Sequence, residues 1–216
     1  MHIKPAITQK SIIAQIRASL PQSVVLIAVL KNRATEEIRH ALSAGITHIG
    51  ENRMQEAEQH FKELRSAFAA VTKHFIGHLQ SNKVRKAVQL FDIIQTVDSE
   101  KLAKKISAEA AKQGKIQQIM IQVNIGKEQT RQGVLPQRVH ALYESIKALQ
   151  NLKVIGLMCI PAALPSEQVR PFFKQMKQLQ QQLNLSCLSM GMSDDYTIAI
   201  QEGSTMIRIG RKIFNV

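Results

Sequence analysis

A lysine follows the most apolar segment of the chain. Residues 24–30 form an uninterrupted run of β-branched and aliphatic side chains, and Lys31 comes directly after it. An amine at the end of a buried strand is partly desolvated. Desolvation disfavours the ammonium form, lowers the pKa and supplies the neutral amine that attacks an aldehyde. The alternative is a surface lysine whose stem extends along the strand end, and this residue alone favours that alternative.

A second set of residues has the pattern of an anion site. Residues 204–211 predict a strand that runs into a glycine turn and a short terminal helix, with Gly210 and Arg211 at the turn. Backbone N–H groups and the dipole at a helix start hold phosphate groups. Ser193 follows the preceding predicted strand and joins the candidate site. A lone glycine is as often a simple turn residue, so the pair on neighbouring strands is the stronger signal.

Arg208 lies just inside the end of the last predicted strand. An arginine in that position is costly unless something accepts its N–H groups. A structural carboxylate is one candidate partner, from Asp194 or Asp195, and an acceptor atom of a ligand is the other. The two aspartates are also candidates for the start of the helix that runs to Glu202.

The remaining polar and sulfur-containing candidates fit packing roles better than chemistry. The sequence has no HExxH or CxxC pattern, which predicts no metal site and leaves core or rim positions for His74 and His78. Three methionines near predicted strand ends are expected to fill gaps around a pocket mouth: Met158, Met190 and Met192. Two cysteines lie inside apolar segments, which predicts inert thiols and no disulfide framework: Cys159 and Cys187.

The elements that position these residues alternate along the chain. After a predicted helix over 8–20, short apolar segments occur at 24–30, 47–49, 74–76, 93–97, 119–123, 154–158, 185–190 and 205–209, with helical stretches between them. Eight such units in about 200 residues predict an α/β protein, a (βα)8 TIM barrel with an extra N-terminal helix. A doubly wound open sheet is the alternative. In both folds the chemistry belongs at the carboxyl ends of the strands.

Helix boundaries are predicted from capping residues. Thr35 is expected to cap the helix that Gly45 stops. Asp98 or Ser99 is expected to cap the helix after the fourth strand, and another helix is expected to start at Ser166.

Length and composition limit the classes of protein that this chain can belong to. Its 216 residues, 44% of them hydrophobic, predict a single domain spanning 1–216 without a linker. Residues 1–5 lack the apolar stretch of a secretory signal, and no apolar run reaches the about 20 residues that cross a bilayer. We therefore expect a cytoplasmic protein without membrane contact.

The formal net charge of +13 raises the question of nucleic-acid binding. The basic residues are scattered over helix faces, however, and only 4% of the residues are aromatic, so platforms for base stacking are scarce. The sequence predicts no specific nucleic-acid partner, and a charge-driven nucleic-acid module stays an alternative.

Several motifs taken together resemble one protein family. The chain resembles the pyridoxal phosphate homeostasis proteins, relatives of the alanine racemase barrel, from about residue 24 to residue 214. The resemblance rests on motifs in the order 28–31, 50–52, 74–83, 156–158, 191–195 and 203–210. The chain departs from the family where Leu30 replaces a small polar residue, where Asn32 and Arg33 replace Thr-Lys, and where Arg211 replaces a small hydroxyl residue.

The resemblance implies a fold-type-III barrel that binds pyridoxal 5′-phosphate (PLP). It implies an internal aldimine, a Schiff base between the cofactor and Lys31. Ser193 and the backbone of Gly210 and Arg211 would hold the phosphate, and Arg208 would face the pyridine nitrogen. The cofactor-binding set is completed by Asn52 and Met158.

The same resemblance, together with the residues present, predicts a carrier or regulator of PLP without substantial turnover and without catalytic residues. An arginine partner keeps the ring nitrogen unprotonated, which weakens the ring as an electron sink. A racemase needs a second acid or base, and Tyr143 lies mid-helix while Tyr196 lies at a helix start. A slow PLP-dependent racemase or lyase using Lys31 and Tyr196 is the alternative. The expected partners are PLP and apo-PLP enzymes, and a monomer is expected rather than an oligomer.

Overall fold

Eight parallel strands close into a barrel in the order in which they occur in the chain. The computed structural model describes residues 8–162 and 164–215, so the prediction on a secretory signal at residues 1–5 lies outside the described residues. The strands are β1 Val25–Val29, β2 His48–Glu51, β3 Thr72–Phe75, β4 Ile93–Val97, β5 Gln117–Val123, β6 Leu152–Cys159, β7 Cys187–Ser189 and β8 Met206–Ile209. The (βα)8 barrel predicted from the sequence is confirmed, and the open sheet is wrong because β1 pairs with β8 in parallel.

Each strand is followed by a helix, and one additional helix precedes β1. They are α1 Gln9–Ser19, α2 Thr35–Ser43, α3 Met54–Glu63, α4 Val84–Leu90, α5 Glu100–Lys112, α6 Val139–Ile146, α7 Ser166–Gln182, α8 Tyr196–Gln201 and α9 Arg211–Phe214. The extra N-terminal helix predicted from the sequence is α1, which begins after the N-cap Thr8. In the part of the chain that the structure describes, no helix has the length and apolar character needed to cross a membrane.

Apolar side chains on both faces of the strands form the core. In β1, Leu26 and Ala28 pack in one outer cluster beneath the helices, whereas Ile27 belongs to a cluster inside the barrel. That inner cluster also contains Met120 and Met158. Because successive side chains of a strand point to opposite faces, a continuous apolar run is what a strand buried on both sides requires.

Two of the predicted helix caps are confirmed and one is wrong. Gly45 has a φ of +92°, a left-handed conformation that suits a glycine after a helix, and Ser99 accepts a hydrogen bond from the N–H of Leu102 at 3.4 Å. Helix α2 does begin at Thr35, but its N-cap is Ala34. Thr35 does not serve as the cap because its hydroxyl donates to Glu63 instead.

Candidate functional site

A cavity of about 960 Å³ opens at the carboxyl end of the barrel. Six of the seven residues predicted to bind a cofactor line it: Lys31, Asn52, Ser193, Arg208, Gly210 and Arg211. The seventh, Met158, is fully buried in the cluster inside the barrel and is not among the described residues that line the cavity. Four different strand ends, those of β1, β2, β7 and β8, thus bring the six residues together, since the parallel strands of a barrel all end on the same face.

Lys31 stands on a tightly held turn after β1. Asn32, the next residue, has a left-handed φ of +55°, and its N–H donates to Glu56 Oε2 at 3.0 Å. The carbonyl of Arg33 accepts a hydrogen bond from His60 Nε2 at 3.2 Å. Of the two alternatives for Lys31, the structure matches the surface lysine, because the residue is exposed at the wall of the cavity.

A buried ion pair supports this turn from below. Glu51, at the end of β2, is fully buried, and its Oε1 lies 2.7 Å from His60 Nδ1. Burial raises the pKa of Glu51, and the hydrogen bond to Glu51 is the main cause that raises the pKa of His60. The carbonyl of Arg33 can only accept, so His60 must carry a proton on Nε2. A further proton must therefore lie between His60 and Glu51, and the pair holds it at neutral pH.

The loop after β7 holds Ser193 in place by an internal set of bonds. Asp195 Oδ1 accepts a hydrogen bond from the N–H of Met192 at 2.6 Å, and the Met192 carbonyl accepts from Tyr196 at 2.9 Å. Gly191 has a φ of +94°, and a Cβ there would lie 2.5 Å from Cβ of Ala199, so this turn requires glycine. Asp195 is the N-cap of α8, as one of the sequence alternatives predicted. Ser193 is buried at the cavity wall as a result.

The neighbouring turn, after β8, carries Gly210 and Arg211. Gly210 is the N-cap of α9, and its carbonyl accepts from Ile213 and Phe214 at 3.0 and 3.1 Å. The first N–H groups of a helix have no acceptor within that helix, so a ligand can use them. A Cβ on Gly210 would lie 3.4 Å from Val29 Cβ, an ordinary contact, so the protein itself does not require glycine at this position.

Arg208 is buried beneath the cavity with partners other than the predicted carboxylates. Its Nη1 donates to Ser189 Oγ at 2.6 Å, and its Nη2 donates to the carbonyl of Cys159 at 2.8 Å. The expected structural partners are engaged elsewhere, Asp194 with the side chain of Arg211 and Asp195 with its own loop. Arg208 also lines the cavity, which leaves it able to donate to a ligand.

The sulfur beside Arg208 takes no part in acid–base chemistry. Burial raises the pKa of the Cys159 thiol to about 12, so the group stays protonated near neutral pH. Both cysteines are free, as predicted, but only Cys159 is fully buried, whereas Cys187 is partly exposed. Met190 is a core residue and Met192 is the one predicted methionine that lines the cavity.

Asn52 lines the cavity and carries a side-chain acceptor without a partner in the described part of the chain. Among the atoms of the described residues, its Oδ1 is buried without a hydrogen-bond partner. A Cβ on Gly77 would lie 2.0 Å from the backbone oxygen of Asn52, so only glycine lets the end of β3 approach this closely. A buried acceptor without a partner is costly, and a donor from a bound ligand removes that cost.

The sequence analysis missed the part of the cavity wall that follows β5 and β6. Arg131 lines the cavity, donates to the carbonyls of Ile160 and Pro161 at 2.9 Å each, and pairs with Glu128 at 2.7 Å. A bridge between Val123 and Val134 closes the base of this loop, residues 124–133. The signal that was available is the polar run at 126–133 between a strand and the next helix.

The two tyrosines do not contribute to the described lining of the cavity. Tyr196 packs beneath Lys212, whose Nζ lies 4.8 Å from the centre of the ring, and Tyr143 is on α6. Neither is among the described residues that line the cavity. The cavity therefore combines an exposed amine, backbone and hydroxyl donors at two turns, a buried guanidinium and an orphaned amide oxygen.

Comparisons of the sequence with known proteins identify a family and several relatives. The family model of the alanine racemase N-terminal domain matches residues 10–215. The pyridoxal phosphate homeostasis protein of Vibrio cholerae is 41% identical over 201 residues, which cover 89% of this chain and 85% of that protein. The protein of the same name from Aquifex aeolicus is 38% identical over 196 residues, covering 88% of this chain and 85% of that protein.

Solved structures give the same result. PipY of Synechococcus elongatus PCC7942, solved with PLP bound, superposes with a TM-score of 0.88 at 39% identity, covering 96% of this chain and 100% of PipY. Alanine racemase of Clostridium difficile shares only the fold, with a TM-score of 0.75 at 16% identity over 95% of this chain and 56% of that enzyme. The chain therefore belongs to the alanine racemase N-terminal domain family and, within it, to the pyridoxal phosphate homeostasis proteins.

Proposed function

We propose that this protein binds PLP in the cavity at the carboxyl end of the barrel and takes part in PLP homeostasis as a carrier or regulator. The observation that carries the proposal is the meeting of Lys31, the Ser193 and Gly210 turns, and Arg208 on one cavity of about 960 Å³. PLP has an aldehyde, a phosphate and a ring nitrogen. Each of these groups finds a chemical complement among those residues.

The aldehyde is matched by Lys31. In the proposed step, Lys31 Nζ in its neutral form attacks the aldehyde carbon, a C=N bond replaces the C=O bond, and the aldehyde oxygen leaves as water. The turn that carries Lys31 is fixed by Glu56 and by His60, which restricts where the amine can reach. A restricted amine binds the aldehyde with a smaller loss of conformational entropy.

The phosphate is matched by N–H and hydroxyl donors on two neighbouring turns. Ser193 and the backbone at Gly210 and Arg211 all line the cavity. The Arg211 side chain pairs with Asp194, so we assign phosphate binding at this position to the backbone rather than to the guanidinium. The orphaned Oδ1 of Asn52 gains a donor when the cofactor is in place.

The ring nitrogen is matched by Arg208. A guanidinium has five N–H donors and no acceptor, so a ring nitrogen that faces it accepts a hydrogen bond and stays unprotonated. PLP with an unprotonated ring is a weak electron sink. This pairing, and a described cavity lining to which neither tyrosine contributes, support binding and delivery of PLP rather than rapid turnover.

The test of covalent attachment uses the visible spectrum of protein loaded with PLP, before and after reduction with borohydride. We expect a band from the Schiff base in the wild type, and after reduction a modification on Lys31 in the peptide map. Lys31→Ala removes both. Lys212→Ala, which changes another exposed lysine on the nearby helix α9, retains both. A band that survives in Lys31→Ala, or a label on another lysine, contradicts the proposal.

A second test isolates the phosphate subsite. Since a Cβ on Gly210 meets only an ordinary contact, Gly210→Ala changes the free energy of unfolding by less than about 0.5 kcal/mol. The same methyl group enters the space beside the proposed phosphate donors, and we expect it to weaken PLP binding about tenfold, or about 1.4 kcal/mol. Binding of pyridoxal, which lacks the phosphate, changes little. Equal losses for both ligands would place the phosphate elsewhere.

Turnover is tested by incubating loaded protein with individual L-amino acids and following chirality and amine loss. The carrier role predicts neither change, and the enzyme alternative predicts one of them. Delivery to apo-PLP enzymes, a monomeric state and a cytoplasmic location stay predictions.

A further inference from the structure

A continuous line of buried polar side chains runs from Arg208 down the inside of the barrel. Arg208 Nη1 lies 2.6 Å from Ser189 Oγ, Ser189 Oγ lies 2.7 Å from Gln95 Oε1, and Gln95 Nε2 lies 2.9 Å from His74 Nδ1. His74 Nε2 then lies 3.0 Å from Nδ1 of His48. We call these five residues the Arg208 chain. Its middle members, Ser189, Gln95 and His74, are all fully buried.

Arg208 and the orientation of the Gln95 amide together set the direction of the bonds in the chain. A guanidinium only donates, so Ser189 Oγ accepts from it, and the serine hydroxyl donates to Gln95 Oε1. Gln95 then presents its NH₂ group to His74 Nδ1, which must be the unprotonated nitrogen of that ring. His74 carries its proton on Nε2 and donates to Nδ1 of His48. The opposite pattern would require the Gln95 amide to turn over, so that its NH₂ group faces Ser189 Oγ and its Oε1 faces His74 Nδ1.

The chain ends in a second cavity, at the opposite end of the barrel. His48 is partly exposed there and lines a space of about 370 Å³ together with Arg17 and residues at the start of β1. Burial is the main cause that lowers the pKa of His74, to about 3, so the ring stays neutral and keeps its place in the chain near neutral pH. All five side chains are thereby locked in one pattern of donors and acceptors.

We infer that Ser189 and Gln95 are positioning residues that aim the guanidinium of Arg208 at the ring nitrogen of the bound cofactor. The inference rests on the proposed function. Arg208 is held by two acceptors, Ser189 Oγ and the Cys159 carbonyl. Asp195 is the carboxylate whose charge acts on Arg208. When Ser189 no longer accepts, the guanidinium turns toward Asp195 and its contact with the ring nitrogen is lost.

The first experiment uses protein without PLP and therefore does not depend on the proposed function. Nitrogen-15 NMR of the histidine side chains should show His74 with a proton on Nε2 and none on Nδ1. In Ser189→Ala, Gln95 is free to turn its amide over, and a second His74 form with a proton on Nδ1 should appear. A wild-type His74 with its proton on Nδ1 overturns the inference.

The second experiment uses protein loaded with PLP. We expect Ser189→Ala to shift the absorption maximum of bound PLP and to weaken PLP binding about tenfold, which corresponds to one hydrogen bond to a charged group. Ser189→Cys fills the same space with a weak acceptor, and a smaller shift in the same direction is expected. This second variant keeps the test valid if alanine destabilises the fold.

Ser204→Ala is the matched control. Ser204 is a buried serine between α8 and β8 whose hydroxyl donates to the carbonyl of Met190 at 2.7 Å, outside the Arg208 chain. It should leave the spectrum and the affinity for PLP at wild-type values. Borohydride trapping on Lys31 in every variant separates the two claims. Trapping with a wild-type spectrum in Ser189→Ala overturns the positioning role alone, whereas no trapping in the wild type overturns the proposed function.

Discussion

Two buried histidines support opposite sides of the cavity, and their pKa values move in opposite directions. His60 lies beneath the turn that carries Lys31, and the pKa of His60 is raised. His74 lies in the chain beneath Arg208, and the pKa of His74 is lowered to about 3. Both side chains are almost fully removed from solvent, at 5% and 0% exposure. Burial alone therefore does not decide the outcome.

The difference comes from what each ring faces. His60 faces a carboxylate on one nitrogen and a carbonyl on the other, and both of these favour a protonated ring. For His74, burial is the main cause that lowers the pKa, and the ring of His48 and the positive charge of Arg208 lower it further. The hydrogen bond from Gln95 also occupies Nδ1, where a second proton would have to bind. His60, beneath the turn that carries Lys31, thus favours its protonated form, whereas His74, in the chain beneath Arg208, stays neutral.

The largest expected effect is a loss of folding stability at acid pH. The folded pKa of His74, about 3, lies below its unfolded value of 6.5, so the unfolded chain binds more protons between those values. Stability is lost as pH falls below 6.5, by up to about 5 kcal/mol in total at about 1.4 kcal/mol per pH unit. Urea unfolding from pH 7 to pH 4 measures the slope. His74→Gln should make it shallower, and His140→Gln, at an exposed position on α6, should not.

Removing the histidine on the other side has the next largest effect. In His60→Leu, Glu51 Oε1 loses its hydrogen bond to His60. Because Oε2 already has no partner among the described residues, both oxygens of this buried carboxyl group are then left without one. We expect a loss of about 3 kcal/mol in the free energy of unfolding at pH 7, measured with urea. His40→Leu on the exposed face of α2 should change it by less than about 0.5 kcal/mol. A similar loss in both variants would mean that the buried pair adds nothing.

The dependence of folding stability on pH above 6.5 tests the comparison further. The folded pKa of His60 is raised, so its contribution is complete below pH about 6.5 and is lost as pH rises through the folded value, at most about 1.4 kcal/mol per unit. In Glu51→Gln a neutral ring satisfies both contacts, and the loss of stability above pH 6.5 should disappear. Glu36→Gln, at the exposed pair with His40, is the control and should retain it. An unchanged slope in Glu51→Gln would mean that other groups cause the loss of stability above pH 6.5.

The smallest effect concerns the turn itself. Glu56 accepts from the N–H of Asn32 at 3.0 Å and pairs with Arg53 at 2.9 Å. Glu56→Gln weakens both contacts near the surface, and we expect a loss below about 1 kcal/mol. Proteolysis within residues 31–34 should become faster at the same time. Glu58→Gln, which changes another surface ion pair of α3, should leave that rate unaltered.

The sequence was sufficient for the features that depend on local patterns. Each apolar run became a strand, and Lys31, Ser193, Arg208 and Gly210 reach one cavity because strand order alone places them there. It was not sufficient for features that depend on distant partners. Ser189 and Gln95 are separated by 94 positions, and no local pattern relates either of them to Arg208.

The sequence was also insufficient for features that depend on the shape of the cavity. The buried strand before Lys31 could not decide between a desolvated and a surface lysine, because exposure depends on a cavity lined by many other segments. Met158 was placed at the cavity wall although strand alternation points its side chain into the barrel interior, beside Met120. The resemblance to a family supplied the set of residues. Only the structure separates those that line the cavity from Met158, which lies inside the barrel.

The loop over residues 124–133 has a consequence for how this protein can change. Its two ends are tied to each other by the bridge between Val123 and Val134, and Asn124 is bonded within the loop to Glu128 and Arg131. A segment anchored at its own base can vary in length and composition with little strain on the strand that carries it. Evolution or design can therefore replace residues 124–133 as a unit and alter which molecules enter the cavity. Lys31 and the donors at the Ser193 and Gly210 turns would stay in place.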